Sequence, residues 1–321
     1  MQADHAHPAA PSFAGHVDVG DGHSLYVEVS GPEDGLAAIV LHGGPGSGSH
    51  PGFRQLFDTQ RYRVVLFDQR GAGRSRPRGG REHNTTAHLI ADIERLRTRF
   101  GIADWLVVGG SWGATLALAY AERHPEHVRG LVLRSVFLGT RAEIETAFCE
   151  TLPRFHPELH EDFLAELPPG ERSRPLDAYW ARILDPDPAV HRRAARAWYA
   201  TERILSEFQP RTTRLSPDAL ADTPGPLPVS PFLEAHYFSH DCFLEPNEIL
   251  HRAQRLEGLP GTLIQPRYDL LCPPATAHAL ARAWPTARIV GIPQAGHTMS
   301  DGGTVDALRR AVARHARDGD R

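Results

Sequence analysis

Three side chains spread along 321 residues could together perform nucleophilic chemistry: Ser111, Asp269 and His297. Ser111 sits in Gly109-Gly110-Ser111-Trp112-Gly113, between the apolar run Trp105-Leu106-Val107-Val108 and the helix-forming run from Ala114 to Ala121. A serine placed on a tight turn from strand to helix is lifted above the sheet edge, beside N–H groups that a helix start leaves unpaired. Such a turn is strained and its neighbours approach closely, so glycine is needed at 109 and 113. Ser111 is the expected nucleophile.

A serine hydroxyl needs a base, and composition narrows the choice. Lysine is absent, so all 35 basic residues are arginine. That excludes Schiff-base chemistry, pyridoxal phosphate attachment, a Walker-A phosphate loop and a Ser-Lys dyad. A histidine or a carboxylate remains. Among 19 histidines, position selects His297, in Gln294-Ala295-Gly296-His297 after the last strand-like run. Asp269, in Arg267-Tyr268-Asp269, follows the run before it. The chain order Ser, Asp, His is that of α/β hydrolases, with both partners at strand C-terminal ends. His297 would take the serine proton and return it to the leaving group, while Asp269 fixes the imidazole tautomer.

Charge developing on the substrate oxygen needs donors. His42-Gly43-Gly44-Pro45-Gly46 follows the buried run Leu36–Leu41 and frees backbone N–H groups to face a ligand. The expected oxyanion hole is the N–H of Gly44 with that of Trp112.

These residues need a frame that brings them to one edge. His16 to Glu28 alternates around an Asp21-Gly22 hairpin signal; Leu36–Leu41 and Arg63–Phe67 are continuous apolar runs; Thr86 to Phe100 is an amphipathic helix stopped by Gly101. Another strand is expected over Val128 to Leu133. This spacing predicts an α/β fold with a doubly wound, mostly parallel sheet. The loop Asp68-Gln69-Arg70-Gly71-Ala72-Gly73-Arg74-Ser75 is expected to hydrogen-bond to itself and support the site from beneath. From Gly139 to Leu250 strand-like runs vanish. Helical segments alternate with proline clusters at Pro168-Pro169, Pro186 to Pro188 and Pro224 to Pro228, the pattern of an inserted helical cap. Sheet texture returns at Thr262–Gln265 and Ala287–Gly291, and Val305 to Arg317 is a closing helix. The expected division is thus core over 1–138, cap over 139–250 and core again over 251–321.

The net charge of −4 offers no basic field for nucleic acid and no polybasic run for a membrane surface. Cys149, Cys242 and Cys272 form neither a disulfide framework nor a zinc pattern, and no signal-peptide core or membrane-length run is found; a cytoplasmic protein is expected. His124 and His127 have helix-like spacing and His83 lies near His88, but there is no His-Glu-x-x-His and no cysteine beside them, so neither metal nor organic cofactor is expected.

Taken together, His42–Gly46, Asp68–Ser75, Gly109–Leu118, Arg267–Asp269 and Ala295–His297 resemble the proline iminopeptidases (prolyl aminopeptidases) of the α/β-hydrolase superfamily over nearly the whole chain. The resemblance implies release of an N-terminal proline from peptides with a free N-terminus, through acylation of the serine. It also implies that two cap carboxylates, Glu202 and Glu234, bind the substrate's α-ammonium and that Phe137 lines the proline-ring pocket. The chain departs from the family at Thr201, where Trp is usual, at Leu271, where a small residue is usual, and in Thr146-Ala147-Phe148, where the aromatic stretch is reduced. These changes leave the triad alone and bear on the preference for proline. Two rival readings are a capped esterase or amidase for small neutral substrates and a silent hydrolase fold acting as a receptor.

Overall fold

A computed structural model describes residues 10–221 and 226–318. Its frame is an eight-stranded sheet in the order β1-β2-β4-β3-β5-β6-β7-β8. β1 (Phe13–Asp18) and β2 (Ser24–Ser30) form an antiparallel hairpin. In its turn Asp21 and Gly22 take positive φ, 54° and 75°, a conformation open to Gly and tolerated by Asp. β2 also pairs antiparallel with β4 (Tyr62–Phe67). The other strands, β3 (Leu36–Leu41), β5 (Trp105–Ser111), β6 (Val128–Val136), β7 (Gly261–Pro266) and β8 (Ala287–Ile292), extend the sheet in parallel.

Alternation along the central strands divides their side chains between two cores. Ile39, Val65, Val107 and Leu133 face α1 (Thr86–Arg99) and α2 (Trp112–Arg123). Val40, Leu66, Val108 and Val132 face the opposite layer, made by the turn Pro51–Leu56 and the final helix Thr304–Asp318. Both faces are covered, so these strands read as unbroken apolar runs.

Strand order decides where a ligand can sit. From β3 the chain moves outward to β4, then returns to place β5 on the other side of β3. That reversal opens a crevice beyond the C-terminal ends of β3 and β5. Leu41 pairs with Gly109 across it, so the His42–Gly46 loop and Ser111 leave the sheet side by side.

Between Val136 and Gly261 the described residues contain helices and turns but no strand. A helical run over 141–155, with a π-helical middle turn Thr146–Thr151, leads to α3 (Pro157–Ala165), α4 (Pro175–Ile183), α5 (Pro188–Ser206) and α6 (Ser230–Phe238). Proline occupies the first turn of each of these four helices, where its missing N–H costs nothing. The insert has an aromatic heart: Trp198 of α5 stacks on Phe148 at 4.4 Å, and Phe163 stacks on Tyr179 at 4.1 Å. Pro224 and its neighbours at 222–225 lie outside the described residues. The helix Glu248–Arg252 packs on α2, within the layer that flanks the sheet. No helix among the described residues is long and apolar enough to cross a membrane.

Candidate active site

Ser111 ends β5 and caps α2 with φ 56° and ψ −127°, a conformation costly for a residue with a side chain. The glycines around it are required by contact. A Cβ at Gly109 would stand 2.3 Å from the Gly113 carbonyl oxygen, and one at Gly113 would stand 2.0 Å from that of Leu41. The turn is therefore pressed against the end of β3, and only hydrogen fits on either side.

The imidazole of His297 reaches the same crevice from the loop after β8. Its Nδ1 lies 3.0 Å from each carboxylate oxygen of Asp269, in the loop after β7. Nδ1 being so engaged, Nε2 is the nitrogen left for the cavity that Ser111 also lines. Asp269 is buried, which alone would raise its carboxyl. The His297 ring, the Cys272 N–H at 2.8 Å and the Ser135 hydroxyl outweigh burial and hold it below the usual carboxylate range. Arg134, on β6, donates to the His297 carbonyl and at 2.9 Å to the Ser135 hydroxyl, tying the histidine loop to the strand beneath.

Gly296 has a further steric role. A Cβ there would meet the Phe208 nitrogen at 2.8 Å and the Ser206 oxygen at 3.0 Å, because the end of α5 crosses over this loop. Thr298 donates its N–H to the Ser206 carbonyl at 2.8 Å, and Asp301 accepts from the N–H groups of Gly296 at 2.7 Å and Phe208 at 3.2 Å.

On the other side of Ser111, the Asp68–Ser75 loop folds on itself. Asp68 accepts from the Ser49 N–H and hydroxyl, both at 2.6 Å, and from the Arg74 N–H at 2.8 Å and Nε at 3.0 Å. Although burial raises its carboxyl, the Arg74 and Ser49 hydrogen bonds prevail and lower it. Gln69 does what sequence reading did not foresee. Its N–H donates to His42 Nε2 at 3.0 Å, its side-chain NH2 donates to the His42 carbonyl at 2.9 Å, and its side-chain oxygen accepts from Trp112 Nε1 at 2.9 Å. One amide therefore joins the two backbone segments that carry Gly44 and Trp112. Gly44 has φ 108°, and a Cβ would come within 2.6 Å of the Gly46 nitrogen.

Above the sheet lies a cavity of about 530 Å3 whose walls include Gly44, Ser111, Glu202, Glu234 and His297. Glu202 comes from α5 and Glu234 from α6, so two cap helices bring their carboxyls together. Glu234 is buried and accepts the Trp198 indole N–H at 2.7 Å. Among the described residues neither forms an ion pair. Burial lifts the Glu202 carboxyl to about 7 against the pull of His297. Burial, then the Glu202 charge, push Glu234 well above its ordinary value. A smaller lobe of about 40 Å3 adjoins Ser111, walled by Phe137, Ile144, Phe148, Phe238 and Cys272. Phe137 and Phe238 meet edge-to-face at 6.0 Å. Phe238 was missed from sequence because its helix could not be aimed at the pocket from spacing alone.

The chain was compared with known proteins. The profile of the alpha/beta hydrolase fold matches residues 39–304. The proline iminopeptidase of Xylella fastidiosa strain Temecula1 is 41% identical, covering 93% of this chain and 95% of its own. A probable proline iminopeptidase of Streptomyces coelicolor is 43% identical over 96% of this chain and 97% of its own. Among solved structures, a proline iminopeptidase-related protein of Thermus thermophilus superposes with a TM-score of 0.60 at 25% identity, covering 95% of this chain and 98% of the other.

Proposed function

The chain belongs to the proline iminopeptidase family of α/β hydrolases, and from that membership we propose how its residues divide the work. It is a serine exopeptidase that releases an N-terminal residue, preferably proline. The observation that carries the assignment of its site is the pair Glu202 and Glu234: two carboxyls without a basic partner among the described residues, in the cavity that holds Ser111 and His297. They receive the α-ammonium of the peptide. A charge pair about 4 Å apart is worth at most about 4 kcal/mol at an effective dielectric of 20, before desolvation. An internal peptide segment, having no ammonium, would leave those carboxyls unpaired and is disfavoured.

With the amine fixed there, the ring of the first residue packs against Phe137 in the small lobe and its carbonyl carbon lies over Ser111. His297 takes the hydroxyl proton through Nε2 as Ser111 attacks, and Asp269 balances the imidazolium. The N–H groups of Gly44 and Trp112 hold the oxyanion. His297 then protonates the departing peptide amine, and water repeats the sequence to free the acid. Residues 139–250 serve as the cap that carries the amine site. Three free thiols support a cytoplasmic setting.

The experiment compares a proline arylamide with its N-acetylated form. Loss of most of kcat/KM on acetylation is expected. Equal turnover of the two would favour the esterase or amidase reading.

A further inference from the structure

At the C-terminal end of α2, about 18 Å from the elbow along its 12 residues, three side chains bring ligating atoms to one point on the surface, with a fourth beside the two histidines. His124 and His127 belong to the turn into β6, Glu126 stands between them, and Glu94 reaches across from α1. Glu126 Oε1 lies 3.8 Å from the Nδ1 of His124 and 3.8 Å from the Nδ1 of His127. Glu94 Oε2 lies 3.1 Å from the Nδ1 of His127. One ligating atom from each of Glu94, His124 and His127 falls within 4.8 Å of the other two. Ligand atoms about 2.0 to 2.1 Å from a tetrahedral zinc ion are about 3.3 Å from one another. The measured separations surround that figure, and rotation of partly exposed side chains closes the remainder.

Glu94 is already set as a ligand. Its carboxylate takes Arg97 through Nε at 2.9 Å and Nη2 at 2.8 Å, and the hydroxyl of buried Tyr120 at 2.7 Å. Tyr120 is in turn held by Trp105 Nε1 at 3.2 Å. The carboxylate is thus oriented by an outer shell of hydrogen bonds, as metal-binding carboxylates are. Two imidazoles with two carboxylates suit zinc better than calcium or magnesium.

We propose that Glu94, His124, Glu126 and His127 form a surface site for a zinc-type divalent cation, clipping α1 to the turn after α2. Sequence pattern does not disclose it, because Glu94 lies 30 residues before His124. The site is separate from Ser111 and acts on stability.

The test is equilibrium dialysis of the full chain against zinc chloride, with melting curves and arylamide turnover followed alongside. Asp269, Cys272 and His297 also lie within reach of a common ion, so variants must distinguish the two places. The expected result is one zinc equivalent that disappears in the His124→Ala/His127→Ala double variant, with metal-free turnover unchanged. Glu126→Gln should weaken zinc about tenfold or more, and zinc should raise the melting temperature of the unaltered chain but not of the double variant. Absence of a zinc equivalent from the unaltered chain, or its survival in the double variant, overturns the proposal.

Discussion

Glu202 of α5 and Glu234 of α6 line the same cavity, and two acids so placed resist ionising together. Glu234, pushed well upward by burial and by its neighbour's charge, is the member that keeps its proton longer. A raised acid is neutral below its pKa, so the proposed amine site gains its first negative charge, on Glu202, only as pH climbs through about 7. KM for a free-amine arylamide is therefore expected to rise as pH falls from about 8 to about 6, with a weaker trend in Glu202→Gln. Steady-state kinetics over that range decides the matter; a constant KM would remove the pair from substrate binding.

Asp269→Asn would leave the His297 ring in place but favour the wrong tautomer. A loss of kcat of about 10^4-fold is expected, with unchanged circular dichroism. Ser111→Ala should lose at least as much. Residual turnover by Ser111→Ala within tenfold of the unaltered chain would rule out that serine as nucleophile.

Gly296→Ala places a methyl against backbone atoms of Ser206 and Phe208 that have no side-chain freedom to retreat. The histidine loop must shift, and a displacement of about 1 Å near the chemistry can cost about 10^2-fold in rate. The expected signature is a lower kcat with KM little altered, read from full saturation curves. An unaffected kcat would show that the loop is looser than its contacts indicate.

Much of this site could be read from short stretches of sequence. The glycine spacing around Ser111 reports a steric constraint that acts within five residues, and β3, β4 and β5 announce themselves because both their faces are covered. The bond between His297 and Asp269 was reachable through chain order, since both lie just past sheet strands. Gln69 was not legible: its role depends on three groups spread from His42 to Trp112, and nothing in its local pattern marks it. Arg134 is hidden for the same reason, its partner being a carbonyl 163 residues away. For the cap, helices could be counted but not oriented, so Glu202 and Glu234 entered through resemblance and Phe238 not at all.

Stability should carry its own pH dependence through Glu122. It is buried on α2, both its carboxyl oxygens lack a hydrogen-bond partner among the described residues, and burial, then Glu248, raise it to about 8. The folded chain then keeps a proton that the unfolded chain releases above about 4.5, so stability falls as pH rises from there toward about 8. Glu122→Gln escapes that loss. Its stability relative to the unaltered chain should improve by about 2 kcal/mol between about pH 6 and about pH 8. Urea unfolding at the two pH values measures this; a pH-independent difference would contradict it.

The contacts of Ser206 and Phe208 with the loop of Gly296, Thr298 and Asp301 make the roof and the ring of His297 one mechanical piece. A chain too bulky for the chamber would have to lift α5, and lifting it pulls on the loop that seats His297. With His297 as the proposed base, size selection and chemical competence are not separate filters here: a guest that forces the chamber open also disarms it.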